Sequence, residues 1–219
     1  MMSPLEQKLG YAFRDKALLT AALIHPSAKQ DVDNQRLEFL GDAVLEFCIS
    51  HMLYMKYPNM REGELTERRA ALVREETLSL LAQRLGIGEA LRMDHGEEQN
   101  MGRGKPSILA DAFEAVLAAI QQDGGIEAAH SVIVRLYQDE GRLYALRGRD
   151  DKSLLQKYTQ ARNMALPEYT VLEETGPAHE RRFMVQVSIL GRPAATGRGG
   201  SKKAAEQAAA KAAMAAFHS

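Results

Sequence analysis

From Leu5 to about Leu146 the apolar residues recur at spacings of three and four, and no convincing run of strict alternation interrupts them. Breaks fall at His25-Pro26-Ser27, Tyr57-Pro58-Asn59, Gly86-Ile87-Gly88, Gly96 to Pro106 and Asp123-Gly124-Gly125. The segments between them read as helices, so residues 1–147 are expected to form an all-α domain of about seven helices. Gly148-Arg149-Asp150-Asp151 is a short polar stretch and the expected linker, 148–151.

Beyond it the period changes. Lys152 to about Asn163 reads as a helix with Leu154, Leu155 and Tyr158 on one side. Phe183, Val185, Val187 and Ile189 then alternate with Met184, Gln186 and Ser188, the pattern of a half-buried strand. Tyr169 to Glu174 and Pro193 to Arg198 read as shorter strands, with turns at Gly176-Pro177 and Gly191-Arg192. Ser201 to Phe217 is an alanine-dominated helix. Residues 152–219 are therefore expected to form an α+β domain of order α-β-β-β-α, a three-stranded antiparallel sheet backed by two helices.

Composition narrows the class. Hydrophobic residues make up 45% and charged residues 26% of the 219, which excludes a disordered chain. No apolar run approaches the roughly 18–20 residues needed to span a bilayer. The first residues carry no basic segment followed by an apolar one, so no secretory leader is read there. The single cysteine, Cys48, lies in an apolar segment and reads as a small core residue. A reducing, cytoplasmic location is the expectation. The net charge of −1 argues against a uniformly basic nucleic-acid binder, but it hides a split. Residues 151–219 carry ten Lys/Arg against six Asp/Glu, a net of +4, which leaves −5 for the first 150. That division suits phosphate contact in the C-terminal part and cation binding in the N-terminal part.

The candidate chemistry sits in two apolar helices. In Arg36-Leu37-Glu38-Phe39-Leu40-Gly41-Asp42-Ala43-Val44-Leu45, Glu38 and Asp42 are four apart and share a helix face, with Gly41 offering a place for close backbone approach. In Ser107-Ile108-Leu109-Ala110-Asp111-Ala112-Phe113-Glu114-Ala115-Val116-Leu117, Asp111 and Glu114 are three apart and again share a face. Ionised carboxylates are costly to bury alone, so a divalent cation is one reading. Oxygen-only ligation favours Mg²⁺ or Mn²⁺ over zinc. The other reading is a pair of solvated helix edges, common for one such pair and less common for two. A carboxylate-bridged di-iron bundle would need Glu-x-x-His, and Leu117 follows Glu114 where that histidine would stand, as Gly41 follows Glu38.

The run Gln35-Arg36-Leu37-Glu38-Phe39-Leu40-Gly41-Asp42 resembles the signature helix of the ribonuclease III family. His25-Pro26-Ser27 ahead of it and the segment Ser107 to Ala115 behind it fit the same family in order and spacing, and the residues after 150 resemble its double-stranded-RNA-binding domain. The resemblance implies an Mg²⁺-dependent endonuclease of double-stranded RNA, with Mn²⁺ able to substitute, that acts in rRNA and other RNA processing. It implies that Glu38, Asp42, Asp111 and Glu114 bind the metal, with Asp42 and Glu114 catalytic. Glu62, in Arg61-Glu62-Gly63-Glu64, and Glu97, in Gly96-Glu97-Glu98, match acidic positions near the RNA. The implied nuclease domain is an all-α homodimer in which each subunit cuts one strand. Hydrolysis by activated water, with no covalent enzyme intermediate, leaves 5′-phosphate and 3′-hydroxyl ends with short 3′ overhangs. One departure is Gln35, where the signature usually opens with Glu at a position close to the dimer contact. Lys105, near the second acidic pair, reads either as a phosphate neutraliser or as a solvated loop lysine.

A domain that reads A-form RNA touches two minor grooves and the phosphates between them. Ser153, Gln156 and Gln160, spaced by three and then four, lie on one face of the first helix of the C-terminal part and suit 2′-hydroxyls and base edges. His179, on the turn before the central strand, suits the next minor groove. Ser201, Lys202 and Lys203 stand at the start of the last helix, where lysines oppose the dipole and are uncomfortable as scaffold but well placed for phosphate. Two rivals remain: a degenerate nuclease fold that grips RNA without cutting, and a metalloprotein whose C-terminal domain binds protein. All four acidic positions are present, which favours the enzyme.

Overall fold

A helix that is apolar over most of its circumference has to be largely surrounded, and the segment Pro106–Gly124, labelled α8 below, is such a helix: Ile108, Leu109, Ala110, Ala112, Phe113 and every residue from Ala115 to Ile120 are buried. In the computed structural model, which describes residues 2–145, 150–177 and 181–217, its neighbours supply that enclosure. They are α2 (Lys16–Ala22), α3 (Gln35–Lys56), α5 (Glu75–Leu85) and α9 (Ile126–Leu136). Short helices α1 (Pro4–Leu9), α6 (Ile87–Ala90), α7 (His95–Gln99) and α10 (Glu140–Ala145) join α4 (Glu62–Val73) in completing this first unit, Met1–Leu146.

Ten α-helices thus stand among its described residues where the spacing predicts about seven. Helices α1, α6, α7 and α10 are six residues or fewer, too short to repeat an apolar period. The joint between α4 and α5 lies at Arg74, whose extended backbone (φ −70°, ψ 153°) breaks the helix with no Gly or Pro to mark it. Helix starts follow ordinary capping. Ser3 and Glu6 form a reciprocal capping box on α1, Asp15 caps α2, and Pro106 opens α8. Cys48 is fully buried in the core, which pushes its thiol up to about 11.

The second unit, Arg147–Ser219, has α11 (Asp151–Gln160), β1 (Glu168–Thr175), β2 (Arg182–Ile189), β3 (Arg192–Gly199) and α12 (Lys202–Ala216). The strands pair antiparallel in the order β1-β2-β3. Phe183, Val185, Val187 and Ile189 are buried as their alternation predicts, and meet Leu155 of α11 and Ala205, Ala209, Ala210 and Ala213 of α12. The alanines permit close packing: a Cβ on Gly197 of β3 would lie 2.1 Å from the Ala209 nitrogen. Ile189 pairs with Arg192, so the hairpin turn is Leu190-Gly191, both at positive φ (53° and 71°), one residue earlier than the sequence suggests. Asp150 caps α11 and Asp151 is its first residue, so both belong to the domain and not to a linker; Gly148 and Arg149 lie outside the described residues.

Candidate functional site

The four acidic residues of the first unit are brought together by one close helix crossing. Gly41 of α3 is buried against α8, where a Cβ would lie 2.0 Å from the carbonyl oxygen of Glu114. Only a residue without a side chain lets the backbones meet there. Glu38 and Asp42 flank Gly41 on α3, one turn apart, while Asp111 and Glu114 share the facing side of α8. Asp42 is exposed; the other three are half-buried.

Electrostatics records their proximity. Burial is the main cause holding Glu114 up at about 8, and Asp42, Asp111, Glu38 and Glu46 add to it in that order. Glu38 is raised by burial, then by Asp111, Asp33 and Asp42. Asp111 is raised by burial and by Glu75, with His25 pulling the other way. Among the described residues none of the four accepts a hydrogen bond or enters an ion pair, so their charge is uncompensated by the protein. Nor, among the described residues, is any group of three or more His, Cys, Asp or Glu side chains gathered so as to hold a metal ion. All-oxygen, acidic, uncompensated donors fit a hard divalent ion.

Four further groups face this cluster that the spacing did not single out, Asp33 among them. Glu46 lies one turn beyond Asp42, and Glu75 opens α5. His25 caps the 3₁₀ turn Pro26–Ala28, and its Nδ1 accepts from the Ser27 backbone N–H (3.1 Å). Glu46 had a usable signal, the i,i+4 step from Asp42. The approach of Glu75 and His25 depends on tertiary packing alone.

The remaining acidic candidates differ. Glu62 is exposed in the first turn of α4 and accepts from the Thr66 hydroxyl (2.9 Å). Glu97 on α7 is paired with Lys105 and packs over Gly102. Lys105 is therefore engaged in a loop clamp just before α8, and neither of its two sequence readings includes that partner.

In the second unit, Gln156 and Gln160 are exposed on α11, while the Ser153 hydroxyl is half-buried and donates to Asp150 (2.7 Å). Ser201 caps α12, its Oγ accepting from the Ala204 N–H (3.1 Å), and Lys202 and Lys203 are exposed beside it. The two helix starts are tied together. Gln207 donates to Asp150 (2.9 Å) and accepts from the Lys152 N–H (3.1 Å), and Lys152 pairs with Glu206 (2.5 Å). His179 lies outside the described residues.

Residues 15–140 match the family model described as ribonuclease-III-like, and residues 152–216 match the double-stranded RNA binding motif. The chain belongs to the ribonuclease III family. Ribonuclease 3 of Wolinella succinogenes is 43% identical over 97% of this chain and 90% of its own length, and that of Azorhizobium caulinodans is 45% identical over 96% and 92%. The nuclease domain of ribonuclease III from Campylobacter jejuni, described for flexibility in its dimer-forming region, matches with a TM-score of 0.62 and 44% identity. It covers 64% of this chain and 98% of that one. A ribonuclease III domain followed by a double-stranded-RNA-binding domain is the architecture of a double-stranded-RNA endoribonuclease, and the activity class follows from it. In this family member the helix carrying Glu38 and Asp42 also exposes Phe39, Phe47 and Tyr54, at spacings of eight and seven along one side. Among the described residues no helix is long and apolar enough to cross a membrane.

Proposed function

We propose that the chain is an Mg²⁺-dependent ribonuclease III that hydrolyses both strands of double-stranded RNA. The observation that carries the reading is the set of four uncompensated carboxylates on two helices locked together at Gly41. Glu38, Asp42, Asp111 and Glu114 would hold the ion, with Mn²⁺ an acceptable substitute. When bound, Mg²⁺ lowers the pKa of water and offsets charge developing on the phosphodiester. The protein's own part is to present negative charge at a fixed spacing and to manage one proton. The Glu114 carboxyl, held up at about 8 by burial and its acidic neighbours, favours keeping that proton at neutral pH, and a bound cation would favour its loss.

The second unit supplies grip. Gln156 and Gln160 face a minor groove, and Lys202 and Lys203 meet phosphate at the exposed start of α12. Ser153 and Ser201 contribute through the caps they make, which fix the two helix starts, and His179 is read from sequence as the second minor-groove contact. Glu62 and Glu97 line the RNA side of the nuclease unit, with Glu97 acting through Lys105. The apolar side of α3 is the face for a second copy, so that two sites act on opposite strands and leave 5′-phosphate, 3′-hydroxyl ends with short 3′ overhangs. Processing of rRNA and other transcripts in the cytoplasm is the setting this activity suits.

A cleavage assay on end-labelled double-stranded RNA tests the reading, with Mg²⁺, EDTA and Glu114→Gln compared in parallel. Products are expected only from the unmodified chain with Mg²⁺. RNA that is shifted in a gel yet uncut under every condition would mean that the fold serves binding alone.

A further inference from the structure

Glu46 is the carboxylate nearest in sequence to the site that the ligand set leaves out, and it is also the one with a cation of its own. The Arg69 guanidinium of α4 reaches across to α3, where Nε stands 2.9 Å from Glu46 Oε2 and Nη1 donates to Ser50 Oγ at 3.0 Å. Ser50 Oγ in turn donates to the Glu46 backbone carbonyl (2.6 Å), so one side chain grips two successive turns of α3 directly beyond Asp42. We propose that Arg69 is a positioning residue for the carboxylate site, holding Glu46 against α4 as a neutralised neighbour so that the cation meets four acidic groups and not five.

The chemistry favours this division of roles. A carboxylate engaged by guanidinium has its oxygens directed at fixed N–H groups and is poorly available to a metal. Glu38, Asp42, Asp111 and Glu114 have no such partner among the described residues. Glu46 nevertheless adds to the field that raises Glu114, so its charge is sensed at the site. Removing Arg69 exposes that charge in full.

The inference rests on the reading of the four carboxylates as the metal site, and its test separates the two. Mn²⁺ is titrated calorimetrically into the full chain without RNA, for the unmodified protein, Arg69→Gln, Glu46→Gln, the double variant, Arg69→Lys and Glu114→Gln. Arg69→Gln should bind Mn²⁺ about three- to tenfold more tightly, and Glu46→Gln more weakly by a similar factor, as one uncompensated charge near a divalent ion requires. The double variant should return to within about twofold, because the net charge is restored. Arg69→Lys keeps the charge and should stay close to the unmodified chain. If Arg69→Gln weakens binding and the double variant does not recover, Arg69 is only a packing residue and the proposal falls. It falls equally if Glu46→Gln binds Mn²⁺ as tightly as the unmodified chain, a result that stands even should Arg69→Gln not fold. If Glu114→Gln leaves Mn²⁺ binding untouched, the four-carboxylate reading fails, and this inference with it.

Discussion

A carboxyl held near 8 against an ordinary 4.5 makes Glu114 a liability to the metal-free fold, and Glu114→Gln should measure the liability. The folded state binds the proton more tightly than the unfolded chain does. The contribution of Glu114 to stability is therefore greatest below about 4.5 and declines as pH climbs through 8, where the fold must carry the charge. At about 1.4 kcal/mol per pH unit the ceiling is about 5 kcal/mol, and water reaching a half-buried carboxylate lowers it to about 2–3 kcal/mol. At about 2–4 °C per kcal/mol for a chain of this size, Glu114→Gln should melt about 4–12 °C above the unmodified protein at pH 9. At pH 5 the two should nearly coincide. The assay is thermal unfolding followed by circular dichroism in EDTA at both pH values, repeated with Mg²⁺. Added Mg²⁺ should raise the melting temperature of the unmodified chain at pH 9 and leave the variant unmoved. A gap that is the same at pH 5 and pH 9, or a variant that is less stable throughout, would refute the reasoning and make Glu114 a hydrogen-bonding element of the fold.

Gly41→Ala should cost about 1–3 kcal/mol and abolish cleavage, because its methyl group falls 2.0 Å from the Glu114 carbonyl oxygen and must part α3 from α8; an active variant of unchanged melting temperature would show that the crossing is not needed. Lys202→Ala with Lys203→Ala should weaken RNA binding and reduce its salt slope by about two, read from gel shifts at several salt concentrations, and an unchanged slope would remove both lysines from the phosphate contact. Phe39→Asp with Phe47→Asp should convert a dimer to a monomer in sedimentation, while a variant that still sediments as a dimer would move the interface off this side of α3.

Much of this was legible in the order of residues. Buried faces announce themselves, as α8 does by its long run of apolar residues and β2 by alternating four buried residues with more exposed ones. The acidic pairs were readable for the complementary reason, since charge set into apolar helices is expensive and demands an explanation. Short helices were not legible, because a period must repeat to be seen, and neither was the joint at Arg74, where only the backbone angle changes. The Leu190-Gly191 turn was misplaced by one residue because Leu seldom takes positive φ and gives no warning that it will.

The site itself divides along the same line. Spacing placed Glu38 with Asp42 and Asp111 with Glu114, but said nothing about which pair faces which. That information is carried by Gly41, a residue with no chemistry of its own, whose missing side chain lets two helix backbones touch beside Glu114. It is carried also by the cations that do not come. Arg69 goes to Glu46, Lys105 to Glu97 and Arg103 to Glu98, each satisfying an acid outside the set. The protein thus compensates Glu46, next to the site, while leaving the four candidate ligands uncompensated among the described residues, at a cost in metal-free stability that grows as Glu114 loses its proton. A sequence shows which residues are charged. Which charges are neutralised depends on where neighbouring side chains reach, and the Arg69 contact from α4 separates Glu46 from the four candidate ligands on this ground, as it does not separate Glu75 or Asp33.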